Sequence, residues 1–236
     1  MMSASIASTD PVLQRMSSLV TEWEQAHDRR SIFLGCYQLM TANMLGAIQQ
    51  ARFHDDEWVS NLLHRFAKYY FDALELYNLH SDETPQVWRL AHNATRQEKV
   101  MTLQHLMLGV NAHINYDLVF TLHDMLAPEW NDLSTEQRQQ RLSDHTLVNK
   151  IIGETIDTVQ DQVIDQHSPW FSLVDKLLGP TDEWLTSRLI AHWRKEVWTN
   201  AIEYVELHDR QARLAFQQKI EASAMRRGNE FLELTP

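Results

Sequence analysis

Glycine and proline are scarce, with six of each in 236 residues. Tight hairpins and long irregular loops draw on both, so their shortage points to helices joined by short turns. A single cysteine, Cys36, excludes an internal disulfide and a cysteine-built zinc site. Basic residues are outnumbered, 21 Lys and Arg against 32 Asp and Glu, for a net charge of −11. That balance argues against nucleic acid as a partner, because phosphates call for a basic face. It equally disfavours adsorption to an anionic membrane surface. No run approaches the roughly 18 uninterrupted apolar residues of a membrane span. Met1 to Asp10 has neither a basic start nor an apolar core, so no secretory leader is read there. A bacterial, cytoplasmic protein is the simplest expectation.

Twelve His and eight Trp stand out against this background. Apolar residues recur at three- and four-residue steps almost throughout. Asp10 and Pro11 suit the start of a helix that runs to about His27. A second spans Ser31 to Phe53, where Gly35, Ala42, Gly46 and Ala47 would admit a close neighbour. A third runs from Asp55 or Asp56 to about Leu79, and a short fourth from Gln86 to Ala94. The fifth covers about 97–126 and ends before Pro128. Ser134-x-x-Gln137 has the form of a capping box, and Asp144 would cap a long helix from His145 to about Gln166. A short helix follows from Ser168. Thr181 starts a last long helix, broken near Asp209. No alternating strand and no Asn-Gly or Asp-Gly hairpin signal occurs. The reading is an all-α, single-domain bundle of seven to nine helices around a central polar-lined helix at about 97–126. Residues 1–10 and 228–236 are expected to be flexible.

The fifth helix is the unusual one. Residues 104–118 are apolar enough to be buried, yet they include His105, Asn111, His113, Asn115 and Asp117. Burying such groups is costly unless each finds a partner. His113 and Asp117 lie one turn apart on one face. Such a pair can chelate a divalent cation, or the carboxylate can orient the imidazole as a base. Asp124 extends the same three-and-four row, and His105 shares its broad face. Gly109 leaves room between them. Asn111 lies about 200° from His113 on the helical wheel, so Asn111 and Asn115 are read as ties to neighbouring helices. Elsewhere His192 and Glu196 repeat the chelating spacing, and His64 sits on the mostly apolar third helix. The carboxylate-rich di-iron pattern, the His-Glu-x-x-His zinc motif, phosphate-binding glycine loops and the nucleophile elbow are all missing.

Asn111-Ala112-His113-Ile114-Asn115-Tyr116-Asp117-Leu118, with Gly109 before it, resembles the GxNAHINxDL core of a bacterial all-helical family of unknown function. Trp88-Arg89-Leu90-Ala91 and Arg194-x3-Trp198-x2-Ala201 are similar to further parts of that family's pattern. The resemblance covers most of the chain and implies no particular reaction. A looser likeness links the stretch to zinc-dependent phospholipase C and related helical nucleases, which place His and Asp at four-residue steps. Here Gly109 stands where their central Asp would fall. The order is His, Gly, His, Asp, one ligand short of their cluster.

Two functional expectations follow. In the first, zinc or iron sits against His113 and Asp117, with His105, His64 or His192 completing the shell. A bound water then attacks a small ester or phosphoester, with Asp124 or Glu196 as base. In the second, no metal is present. The same residues form a satisfied network, in a protein that binds a small molecule or serves as a scaffold.

Overall fold

The computed structural model describes residues 10–162 and 180–233, and side chains outside 156–187. The short helix expected from Ser168, the first nine residues, and the inward placement of Ile156, Val159 and Val163 lie outside what is described. Among the described residues the fold is all-α and contains no strand. The helices are α1 (Pro11–Gln25), α2 (Arg30–Gln49), α3 (Asp56–Asn78), α4 (Gln86–Ala94), α5 (Thr102–Ala112), α6 (Leu118–Leu126), α7 (Thr135–Gln162), α8 (Pro180–Glu206) and α9 (Arg210–Glu233). A π-helical turn, His113–Asp117, joins α5 to α6 without a break. Counted as one rod, α5, the π turn and α6 bring the described helices to eight.

The chain groups into two compact units, residues 1–60 with 139–192 and residues 61–138 with 193–236. Their boundaries fall inside α3, α7 and α8. No Pro- or Ser-rich linker marks them in the sequence for that reason.

In the first unit α1 packs on α2. Asp10 accepts hydrogen bonds from the Val12 and Leu13 N–H groups, and Pro11 fills the first helical position. Leu13, Met16, Val20 and Trp23 form the buried stripe, spaced by three or four residues as one helical face requires. By length and composition α2 could cross a bilayer, but half of its most apolar window is buried in the protein. Asp144 does not begin a helix, because α7 runs through it from Thr135. Its buried carboxylate instead receives the His54 and Asp55 N–H groups at 2.8 and 3.1 Å, just ahead of α3. It anchors the turn that leads into α3, whose cap is Asp55, with the Trp58 N–H donating to Asp55 Oδ1 at 2.9 Å.

The second unit is built on α4, α5 with its π turn, and α9, which pack on one another. Trp88, Leu108, Leu118, Leu122 and Leu126 are fully buried there. Each such side chain contributes about 1.5–3 kcal/mol relative to exposure. Gln104 is buried and works in both directions. Its oxygen accepts from the Met101 N–H that opens α5, and its nitrogen donates to the Phe231 carbonyl near the end of α9. α9 runs to Glu233. Gly228 permits the close packing, since a Cβ there would lie 2.8 Å from Leu90 Cδ2. The expected capping box at Ser134 is formed in full, Gln137 N–H to Ser134 Oγ and Ser134 N–H to Gln137 Oε1.

Glycine scarcity has a visible consequence at helix ends. α1, α2 and α3 each end in a Schellman motif whose left-handed position is not glycine: His27, Ala51 and His80, with φ of 52°, 52° and 54°. At Ala51 the paired bonds are Ala51 N–H to Ile48 O and Arg52 N–H to Ala47 O, at 2.9 and 3.2 Å. A Cβ in this conformation is strained by roughly 1–2 kcal/mol, part of which glycine's greater unfolded-state freedom offsets. Ala51→Gly is therefore expected to stabilise the protein by about 0.5–1 kcal/mol. The check is a higher urea midpoint at an unchanged m-value.

Candidate functional site

Four polar residues of 104–118 form two groups, both within the second unit. The first is centred on Asp117. Its carboxylate is 1% exposed. Trp88 Nε1–H donates to both oxygens at 3.1 and 3.0 Å, and His113 Nδ1 lies 3.0 Å from Oδ2. The Asp117 carbonyl accepts from Thr121 Oγ1 at 2.8 Å. Around the imidazole stand Phe66, stacked at 3.5 Å between ring centroids and 7° between planes, with Tyr70 and Trp88 both at 6.2 Å. The His–Asp pair expected from the spacing is thus formed, inside an aromatic box.

Burial raises the Asp117 pKa well above the usual carboxylate range, although the Trp88 hydrogen bond opposes it. Burial likewise pushes His113 well below the usual imidazole range. Each shift favours the neutral form, as expected where charge is stripped of water. Together they favour a pair that holds one proton and no net charge.

The second group carries the two asparagines. Asn111 Nδ2 donates to the Ala224 carbonyl of α9 at 2.9 Å, and Asn115 Nδ2 donates to Asn111 Oδ1 at 3.0 Å. Arg227 donates to Asn115 Oδ1 at 2.9 Å and to Glu196 Oε2 at 2.6 Å. The asparagines do tie neighbouring helices, as their wheel position suggested. Sequence reading missed Arg227, which lies over a hundred residues away in the chain.

The remaining candidates fall elsewhere. Asp124 does not continue the His113–Asp117 row. In the π turn Leu118 N–H bonds to the His113 carbonyl, five residues back. One residue more than an α turn rotates everything downstream by about 100°. Asp124 meets Arg65, Tyr69 Oη (2.8 Å) and His123 Nδ1 (3.3 Å) instead. Its burial would raise the pKa, but these hydrogen bonds outweigh it and hold the carboxyl at about 2. Such a group is a weak base. His123 Nε2 faces Arg213 at 2.6 Å, and the ring lies against Tyr204. Glu196 is engaged by Arg227. His105 is buried, His64 is partly buried, and His192 is exposed. Among the described residues no group of three His, Cys, Asp or Glu side chains is placed to hold a metal ion. Burial drives the Cys36 pKa upward, which disfavours its thiolate form.

The opposed shifts predict a pH signature. A depressed His pKa removes stability as pH falls below about 6.5, because the unfolded chain then gains a proton that the native state refuses. A raised Asp pKa removes stability as pH rises above about 3.9. Between these values the two slopes oppose each other in the parent protein. Asp117→Asn removes one of them. The variant should lose stability relative to the parent as pH falls from about 6.5 toward 4, by up to about 1.4 kcal/mol per pH unit. Urea unfolding across that range measures the difference. Parallel profiles would show that the pair does not hold its proton this way.

No curated protein and no solved structure matches the chain. One sequence family does, over residues 9–234, and its description is a family of unknown function, DUF5995. That match takes in the Gly109–Leu118 core, both flanking patterns and all of the helices described above. The chain therefore belongs to the DUF5995 family.

Proposed function

We propose that this is a metal-free helical protein that binds a small molecule, and that residues 105–117 are its structural spine rather than its reaction site. One observation carries this reading. The Asp117 oxygens that would face an ion are engaged by Trp88 and His113. A ligand carboxylate with its lone pairs so engaged has little left to offer a cation. The other expected base positions are engaged in the same sense, Asp124 by Arg65 and Tyr69, and Glu196 by Arg227. An interior polar network of this kind fixes which helix faces meet, since each member is costly to leave unpaired.

The test separates this reading from a zinc- or iron-dependent ester or phosphoester hydrolase. Protein prepared without a histidine tag, aerobically and anaerobically, is assayed for metal alongside His113→Ala. The expected result is substoichiometric metal in both proteins. The variant should also lose about 2–5 kcal/mol of stability, from the emptied ring position and the exposed need of Asp117. Stoichiometric zinc or iron that disappears in His113→Ala, with most stability kept, would overturn the proposal in favour of the hydrolase.

A further inference from the structure

Histidines meet aspartates in more than one way in this chain. His113 faces Asp117 inside the aromatic box, away from water. His54 faces Asp144 at 2.9 Å with half of its side chain in solvent. His123, near the end of α6, is held between an anion and a cation. Its Nδ1 is 3.3 Å from Asp124 Oδ1, and its Nε2 is 2.6 Å from Arg213 Nη2 of α9. The ring also packs on Tyr204 of α8, 4.2 Å between centroids, and the Arg213 guanidinium stands 5.0 Å from the centre of that same tyrosine ring. All of these residues belong to the second unit.

This arrangement decides where the ring carries its hydrogen. A guanidinium has hydrogens to give and nothing with which to accept one. Nε2 must therefore offer its lone pair to Arg213, which puts the hydrogen of the neutral ring on Nδ1, pointing at Asp124. Neutral imidazole satisfies both neighbours. A second proton has only Nε2 to occupy, and there it would meet an N–H of Arg213. Protonation of His123 and its contact with Arg213 exclude each other.

The surrounding charges make Arg213 the group that yields. Asp124 lies beside the ring on α6, Arg65 and Tyr69 reach that carboxylate from α3, Tyr204 comes from α8 and Arg213 from α9. Asp72 on α3 also acts on Arg65 and is itself paired with Lys68. Asp124, its carboxyl held at about 2, keeps its charge throughout the range where imidazoles titrate, and burial keeps Tyr69 neutral. Arg65 and Arg213 already set two cations about one carboxylate, and a protonated His123 makes a third. Arg65 is bonded to Asp124 through both Nε and Nη2. Among the described residues Arg213 has no carboxylate partner, only His123 and the face of Tyr204.

Arg213 sits in the first turn of α9. Between residues 210 and 217 Phe216 is the buried side chain, and Gln217 donates to Tyr204 Oη at 2.6 Å. Farther along, Ile220, Ala224 and Gly228 are buried, and Asn111 and Arg227 fasten the helix. The Arg213 contact thus bears on the start of α9 and not on its remainder. We propose that His123 and Arg213 form a pH-operated latch: neutral His123 holds the first two turns of α9 against α6 and α8, and protonation of its Nε2 releases them. The latch uses neither His113 nor Asp117, so it stands apart from the small-molecule-binding reading.

Two measurements on the full chain test it. In ¹⁵N-labelled protein at about pH 7.5, the ring nitrogens of His123 should show the Nδ1–H tautomer, and the Nε2–H form would overturn the proposal. Amide hydrogen exchange, corrected for the chemical effect of pH, is then compared at about pH 7.5 and about pH 5. Protection over residues 211–217 should fall at least about tenfold, while that over 220–228 stays within about twofold. His123→Gln keeps an acceptor for Arg213 and cannot take up a proton, so in it the fall should vanish. Arg213→Gln serves if that variant does not fold: its 211–217 amides should exchange at both pH values as fast as those of the parent at the lower one. Unchanged protection in the parent, a fall shared equally by 220–228, an equal fall in His123→Gln, or one that persists in Arg213→Gln would each overturn the latch.

Discussion

The second unit depends on a carboxylate kept from water. Asp117 has no solvent to hydrate it, and its place is tolerable because burial favours its uncharged form and Trp88 and His113 hydrogen-bond to it. That requirement fixes much else. Trp88 must present its indole N–H from α4, which sets the rotation of that helix against the π turn. His113 must lie flat against Phe66, which sets where α3 passes. The asparagine chain does the same on the opposite side, locking α9 through Ala224 and Arg227. Directional bonds of this kind choose one packing among the many that an apolar surface would allow.

The helices themselves were legible because their signals are local. Asp10 with Pro11, Ser134 with Gln137, and the break before Arg210 are decided by residues within a few positions of each other. So is the His113–Asp117 contact, one turn apart. What could not be read were partners from distant segments. Nothing near Asp117 in the chain announces Trp88, and nothing near Asn115 announces Arg227. Asp144 shows the same limit: it starts no helix, and the N–H groups it accepts from, those of His54 and Asp55, lie 90 and 89 residues earlier.

The Asp124 expectation failed for a different reason. Its row assumed 3.6 residues per turn from end to end, and the π turn violates that inside the very segment from which the row was extrapolated. His105 lies before the turn and keeps its buried face, whereas Asp124 lies after it and joins a half-exposed ionic cluster with Arg65 and His123. Polar residues that looked like one stripe belong to two environments of opposite character. One favours uncharged groups, and the other holds its carboxylate ionised. The two environments set opposite preferences for charge on residues that the sequence places in one row.

The π turn also bears on how this segment can change over time. Exchanging one side chain for another leaves the backbone phase intact. Losing one residue between His113 and Asp117 would let the rod relax to uniform α geometry with Leu118 and everything after it still in phase, because the π turn holds one residue more than an α turn. The buried leucines at 118, 122 and 126 would keep their places in the core. The cost of such a deletion would fall on the turn itself, where His113, Asn115 and Asp117 could no longer all hold their positions.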